Sequence, residues 1–334
     1  MLTAMMARFL LLGLACVMVG CASMARRASE VVFDRDDSEA LTLTMAVSAN
    51  DSSKAGPAIE LETDDLEDYR DVTSSRGSLI VEGPRGYRRL IEELAWLGGG
   101  TLRETEEDLG IRSDLELQVV LLPMGVDEWP SKFSARIEGE DSRIIIPVLF
   151  DARTRSLAAF LREKNFFSTG VAGHEYFEFS ACVGGGNLRV AADPEIEWHG
   201  IPMRARSFTR WYRDGMADYA AIVWIDKLNG RAGVLPEDRI SVVHQENAEA
   251  SLKRLGARIF DWTQFRKVGN TPYYEASLGL MLRLEEAYGR EKIRVWNEAI
   301  ARSTSRFKVR EDLLRGGEDV FGVDLRRVAR GAKE

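Results

Sequence analysis

The sequence is short of histidine, cysteine and clustered positive charge, and each shortage excludes something. Only three histidines occur in 334 residues, His174, His199 and His244, so any metal centre must draw largely on carboxylates. A net charge of −8 and the absence of a long basic run argue against a nucleic-acid partner, because phosphate binding needs Lys and Arg gathered on one face. There is no internal repeat, and no second apolar span follows the one at the N-terminus. What is present is 45% hydrophobic content, enough for one large core or a two-lobed domain.

The N-terminus carries a targeting signal. Arg8 precedes the apolar run from Phe9 to Val19, which falls short of the roughly 20 residues that span a bilayer and reads as an export signal over residues 1–20. The junction Val19-Gly20-Cys21 resembles the lipobox of bacterial lipoproteins, with Met18 where that box more often has Leu. The resemblance implies lipidation of Cys21 and anchoring in the cell envelope. Ala22 after the cysteine resembles lipoproteins sorted to the outer membrane, facing the periplasm. The alternative is an ordinary signal peptide with a cysteine by chance. With the leader gone and Cys21 lipidated, Cys182 is the only thiol left, which excludes an intramolecular disulfide. Cys182 sits on an apolar stripe without electropositive neighbours and reads as a small buried hydrophobe rather than a nucleophile.

Residues 21–70 are polar and acidic and read as a tether, although Ala40 to Val47 alternates apolar and polar residues as a strand does. Ser78 to Glu82 is a short strand closed by Gly83-Pro84-Arg85-Gly86. Tyr87, Leu90, Ile91, Leu94 and Leu97 recur at helical spacing, with Gly98-Gly99-Gly100 as the expected end of that helix. Leu115 to Pro123 and Ser142 to Leu149 are strong strands, and the loop between them holds Trp129 and Phe133. Leu157 to Lys164 gives a short helix. The next helix, capped by Ser168 or Thr169, carries His174 and runs to about Val183. An irregular segment from Asn187 to Arg206 leads to the helix of Asp214. Helical patterns then recur from Tyr274 to Tyr288, Lys292 to Ala301 and Arg310 to Asp319. The expected class is α+β: a small mixed or antiparallel sheet in the N-terminal half packed on the helix of His174, then a helical C-terminal half, the domain spanning residues 71–330.

The chemistry-bearing stretch is His174-Glu175-Tyr176-Phe177-Glu178. Residues four apart share a helix face, so His174 and Glu178 can reach one ion while Glu175 stands beside them as a base. A zinc hydrolase needs three protein ligands, an open position for water and a nearby carboxylate to take the water's proton.

This stretch resembles the His-Glu-x-x-His helix of gluzincin metallopeptidases, the thermolysin-like clan, with the last ligand changed to Glu. Trp211-Tyr212-Arg213-Asp214-Gly215-Met216-Ala217-Asp218-Tyr219 resembles that clan's second metal helix, commonly Trp-Leu-x-Glu-Gly-x-Ala-Glu-Tyr. Tyr273-Tyr274-Glu275-Ala276-Ser277 leading to Leu284-Glu285-Glu286-Ala287-Tyr288-Gly289, and the ending from Glu318 to Leu325, resemble the bacterial peptidase-MA-like members. The likeness covers residues 78–325 and implies a zincin-like fold, with the strands at Leu115 and Ile144 as edge strands ahead of the metal helix. It also implies zinc held by His174, Glu178 and Asp214, with Glu175 as general base. Three departures bear on the metal: Glu178 is an anion where an imidazole is usual, Asp214 is one methylene short, and the helices are further apart in sequence. One His and two carboxylates would offset Zn²⁺ completely and polarise its water less, and oxygen-rich ligands favour harder ions such as Mn²⁺ or Ca²⁺.

Other residues have two readings each. His199 supplies the missing imidazole or lies in a surface loop, and His244 is simply exposed. Asp218 orients His174 through a hydrogen bond or is a solvated helix carboxylate. Tyr273 or Tyr274 donates to a developing oxyanion or belongs to the core. Two functions remain open. One is a lipid-anchored metal-dependent peptidase acting on a peptide or protein of the envelope. The other is a binding or scaffold pseudo-peptidase without the ion, in which Arg210 or Arg213 compensates the buried carboxylates. An arginine directed into the site would favour the second. A structural envelope protein has only the anchor behind it.

Overall fold

The apolar strands and the long helices pack as one α+β arrangement. A computed structural model of the chain describes residues 40–46, 69–111, 113, 115–124, 132–138, 143–163, 172–178, 180, 195–198, 201–204, 209–235, 241–262, 271–302 and 310–331. The leader, Cys21, Cys182, Trp129, His199 and the caps at Ser168 and Thr169 lie outside these residues.

The strands are β1 (Ala40–Ala46), β2 (Val72–Arg76), β3 (Leu79–Gly83), β4 (Glu116–Met124), β5 (Lys132–Glu138) and β6 (Arg143–Asp151). They form one mixed sheet in the order β1-β5-β6-β4-β3-β2. β3, β4 and β6 run parallel, with Leu117 opposite Ile144 and Leu79 opposite Leu117, while β2, β5 and β1 add antiparallel partners. β4 and β6 therefore sit at the centre of the sheet and are not the edge strands expected from the resemblance. Their composition explains this: Leu117, Val119 and Leu121 face the main core while Val120 and Leu122 face a smaller cluster, so both faces are covered. The loop expected around Phe133 instead contains β5, whose pairing partner β1 lies within the expected tether.

A 3₁₀ turn (Arg85–Tyr87) opens a helical stretch made of α1 (Arg88–Glu93), a π turn (Leu94–Gly98) and α2 (Gly99–Leu109). The triple glycine does not end this helix. A Cβ on Gly99 would stand 2.2 Å from the Arg76 carbonyl oxygen, and one on Gly98 would stand 2.9 Å from Leu79 Cδ2. The glycines are there to let the helix lie directly on β2 and β3.

α3 (Leu157–Arg162) is capped by the Ser156 hydroxyl, which accepts from the Ala159 amide. α4 is the helix described over 172–178. Where an irregular segment was expected there is a hairpin, β7 (Glu195–Trp198) paired with β8 (Ile201–Arg204). α5 (Arg210–Arg231), 22 residues long and buried over most of its length, is the central helix. Around it stand α6 (Ser241–Leu255), a 3₁₀ turn (Gly256–Asp261), α7 (Thr271–Tyr288), α8 (Arg290–Arg302), α9 (Arg310–Phe321) and α10 (Leu325–Ala329). His244 falls within α6, and its side chain lies outside the described set. No described helix is long and apolar enough to cross a membrane.

Trp211 of α5 packs edge-on against Phe260 at 4.8 Å and stacks near Trp296 at 6.2 Å. The Tyr212 hydroxyl donates to Asn297 Oδ1 at 2.6 Å, and Asn297 Nδ2 donates to the Leu109 carbonyl at 2.7 Å. These aromatic and amide contacts tie α5 to α8 and to the end of α2, which fixes the helix that supplies half of the candidate site.

Candidate functional site

α4 and α5 meet closely because Gly173 has no side chain. A Cβ there would lie 3.0 Å from Ala221 Cβ and 3.0 Å from Trp224 Cε3. On its other side α4 buries Tyr176 and Phe177. The Tyr176 hydroxyl donates to Glu106 and lies 3.3 Å from Ser78 Oγ, which fastens the helix to α2 and to the edge of the sheet. The remaining face of α4 carries His174, Glu175 and Glu178 toward α5.

Side chains from the two helices form a chain of alternating charge. Asp218 Oδ1 accepts from His174 Nδ1 at 2.7 Å, and His174 Nε2 faces Glu178 Oε2 at 3.4 Å. Glu178 Oε1 lies 2.9 Å from Arg213 Nε. Arg213 continues to Asp214 Oδ2 at 3.9 Å, and Asp214 Oδ2 accepts from Arg210 Nε at 3.0 Å. Arg210 ends the chain by stacking its guanidinium over Trp262 at 4.5 Å and donating to the Tyr274 hydroxyl. His174 and Asp218 are partly exposed, whereas Glu178, Arg213, Asp214 and Arg210 are nearly free of solvent, so each of their charges depends on its neighbours for stabilisation.

The protonation states follow from this arrangement. Burial alone would lower the His174 pKa, but Asp218 and Glu178 outweigh it and hold the imidazolium well above its ordinary value. Burial pushes Glu178 upward, yet the Arg213 charge and the His174 contact overcome it and bring the carboxyl down to about 2. Among the described residues no cation pairs directly with Glu175, although His174 and Arg213 act on it from nearby. Its burial, followed by the neighbouring Glu178 charge, raises it to about 8, so at neutral pH it is mainly a neutral acid. Burial also raises Asp214, against the opposing pull of Arg210. One oxygen of each of these last two, Glu175 Oε2 and Asp214 Oδ1, is buried without a hydrogen-bond partner.

The expected site residues thus fall into distinct places. His174, Glu175 and Glu178 offer ligand atoms within 4.8 Å of one another, the one such acid–histidine group among the described residues. Asp214 is not part of that group; it belongs to Arg210. Asp218 accepts a hydrogen bond from His174, the first of its two readings. Tyr274 directs its hydroxyl to Arg210 and its ring toward His174, with centroids 6.1 Å apart. Tyr273 is buried and stacks on Trp262 at 5.8 Å, a core position. His199 lies between β7 and β8, outside the described residues.

These positions test whether zinc fits. A catalytic zinc needs three donors converging at about 2.0–2.2 Å with a fourth position open. Here two of the three expected donors converge, His174 and Glu178, and Glu178 is already shared with Arg213. The third, Asp214, is drawn off to a second guanidinium. Two fixed cations already neutralise the carboxylates that would hold the ion, and His174, Glu178 and Asp214 as arranged do not form a three-ligand zinc centre. No protein-family model matches the chain, and no curated protein matches it.

Proposed function

We propose that this chain is a non-catalytic, zincin-like binding or scaffold protein of the cell envelope, held there by the lipid expected on Cys21. The observation behind it is the pair of buried guanidiniums, Arg213 on Glu178 and Arg210 on Asp214, standing against the carboxylates that a metallopeptidase would offer to its ion. Arginine cannot lose its proton in a protein, so these charges persist at any working pH. Within the proposal, the former metal helices serve as a structural clamp between α4 and α5. Metal analysis of the purified chain after dialysis against zinc, with casein cleavage by wild type and Glu175→Gln, tests it. The proposal expects no stoichiometric metal and no cleavage that depends on Glu175; a bound ion together with such cleavage would refute it.

A second reading, metal-dependent peptide hydrolysis with Glu175 as base, draws on two observations. One oxygen each of Glu175 and Asp214 is buried without a hydrogen-bond partner, and Asp218 supports His174 from behind as outer carboxylates support metal-bound imidazoles. It requires Arg213 to leave Glu178, and the same experiment separates the two.

A further inference from the structure

α6 ends at Gly256, whose φ of +52° is a left-handed backbone that glycine adopts freely. The 3₁₀ turn that follows lies against α10. A Cβ on Gly256 would stand 3.7 Å from Arg330 Cγ, and the Arg326 guanidinium lies 5.9 Å from the Phe260 ring. Two segments far apart in sequence, 253–260 and 325–331, thereby share one surface. Together they carry six cations, Lys253, Arg254, Arg258, Arg326, Arg327 and Arg330, and no carboxylate, in a chain whose net charge is −8.

The carboxylates at the margin of this surface are engaged. Glu249 holds Arg283 at 2.8 Å and Lys253 at 3.5 Å, Asp261 and Glu311 hold Arg310, and Asp324 accepts from the Arg326 amide at the start of α10. Cations at helix C-termini offset the helix dipole, but other groups fill that role. Arg258 donates to the Leu255 and Arg254 carbonyls at the end of α6, and Arg283 donates to the Val328 carbonyl at the end of α10. Arg254, Arg327 and Arg330 are exposed and form no ion pair with a carboxylate among the described residues. Like charges gathered on one face repel one another, so this surplus suits a polyanionic partner rather than the fold itself.

We propose that this surface docks on anionic phospholipid head groups. Guanidiniums take phosphate oxygens in pairs through a planar fork. Leu255, Ala257 and Val328 stand partly buried among the cations and give apolar contact at the head-group boundary. The choice of a membrane over other polyanions rests on the lipid expected at Cys21, which holds the chain beside one. The 18 residues between Cys21 and Ala40 reach at most about 60 Å, longer than a fold of this size is wide, so an anchor there leaves this face able to meet the membrane. None of the residues of the charge chain takes part, so the docking surface stands whether or not that chain holds an ion.

Vesicle cosedimentation of the whole chain tests the proposal, comparing phosphatidylcholine vesicles that contain about 30% phosphatidylglycerol with pure phosphatidylcholine vesicles. The readout is the ratio of the two partition coefficients, in which any uncharged contribution of the N-terminus cancels. A ratio of about 100 or more is expected at low salt, falling toward one at about 1 M salt, where the screening length is about 3 Å. Arg254→Gln, Arg327→Gln and Arg330→Gln together remove three charges of about fivefold effect each, so the triple variant is expected to lower the ratio about 100-fold with the circular-dichroism spectrum and melting temperature unchanged. A wild-type ratio near one, an undiminished ratio in the triple variant, or tight binding to a DNA duplex by a chain that ignores the anionic vesicles overturns the proposal. Intact-mass measurement of lipid on Cys21 is read separately, so a missing anchor and a missing docking surface give different results.

Discussion

Replacing Arg213 by Met is the sharpest perturbation of the charge chain. Arg213 is 5% exposed and Glu178 is 7% exposed, and they meet at 2.9 Å. Methionine keeps much of the side-chain volume and deletes the cation, leaving the Glu178 carboxylate buried with His174 at 3.4 Å and the more distant Arg210 charge as support. Removing one partner of a buried pair costs about 3–5 kcal/mol, because the remaining charge stays out of water. For a domain of this size each kcal/mol moves the melting temperature by about 2–4 °C, so a fall of about 6–20 °C is expected. Thermal and urea unfolding followed by circular dichroism at pH 7 measure it. Adding Glu178→Gln to Arg213→Met removes the orphaned charge and is expected to recover part of the loss, with a coupling energy of about 1–3 kcal/mol. The reasoning fails if Arg213→Met unfolds within about 0.5 kcal/mol of wild type, the range of ordinary surface changes.

Three further outcomes follow from the same geometry. Glu175 titrates near 8 when folded against an ordinary value of 4.5, so the folded protein keeps a proton that the unfolded chain loses and stability falls as pH rises between those values, by at most about 1.4 kcal/mol per pH unit. Glu175→Gln removes this slope, and its stability advantage over wild type is expected to grow from pH 4.5 to pH 8; parallel stability curves for the two proteins would contradict it. Asp218→Asn weakens the charge that holds His174 protonated, and the imidazole titration followed by NMR is expected to move to lower pH; an unmoved midpoint would contradict it. Gly99→Ala removes a glycine from a helix interior yet is expected to destabilise by about 2 kcal/mol or more, because the new Cβ collides with backbone at Arg76 and outweighs the gain in helix propensity; denaturant titration showing a gain would refute this.

Much of the fold is legible in the sequence where a residue pattern has one physical meaning. The apolar runs of β3, β4 and β6 and the helical periodicity of α7, α8 and α9 can be read directly, since burial of those side chains has few alternatives. β5, with the sequence Lys-Phe-Ser-Ala-Arg-Ile-Glu, is too polar to declare itself and depends on β1 and β6 for its pairing. α6 is missed for a similar reason, because its polar start hides the spacing of Ala248 and Leu252, which pack inward. Gly98 to Gly100 misleads because glycine serves two purposes: it ends helices, and it allows a helix to touch a neighbour's backbone. Here the second applies, and only the position of β2 distinguishes them.

The site shows the same division. The contact between His174 and Asp218 follows from two helices presenting matched faces, and arginine compensation of the carboxylates is visible as an alternative in the sequence Arg210-Trp-Tyr-Arg213-Asp214. What sequence cannot supply is the distance that makes Asp214 a partner of Arg210 rather than of His174.

The most direct test of the central claim, that arginine rather than a metal ion neutralises the Glu178 and Asp214 carboxylates, is the metal-to-protein ratio of the wild-type chain. The measurement is mass spectrometric metal analysis after saturation with zinc and removal of unbound ion by gel filtration. The account expects a ratio far below one, whereas a ratio near one that disappears in His174→Ala would contradict it.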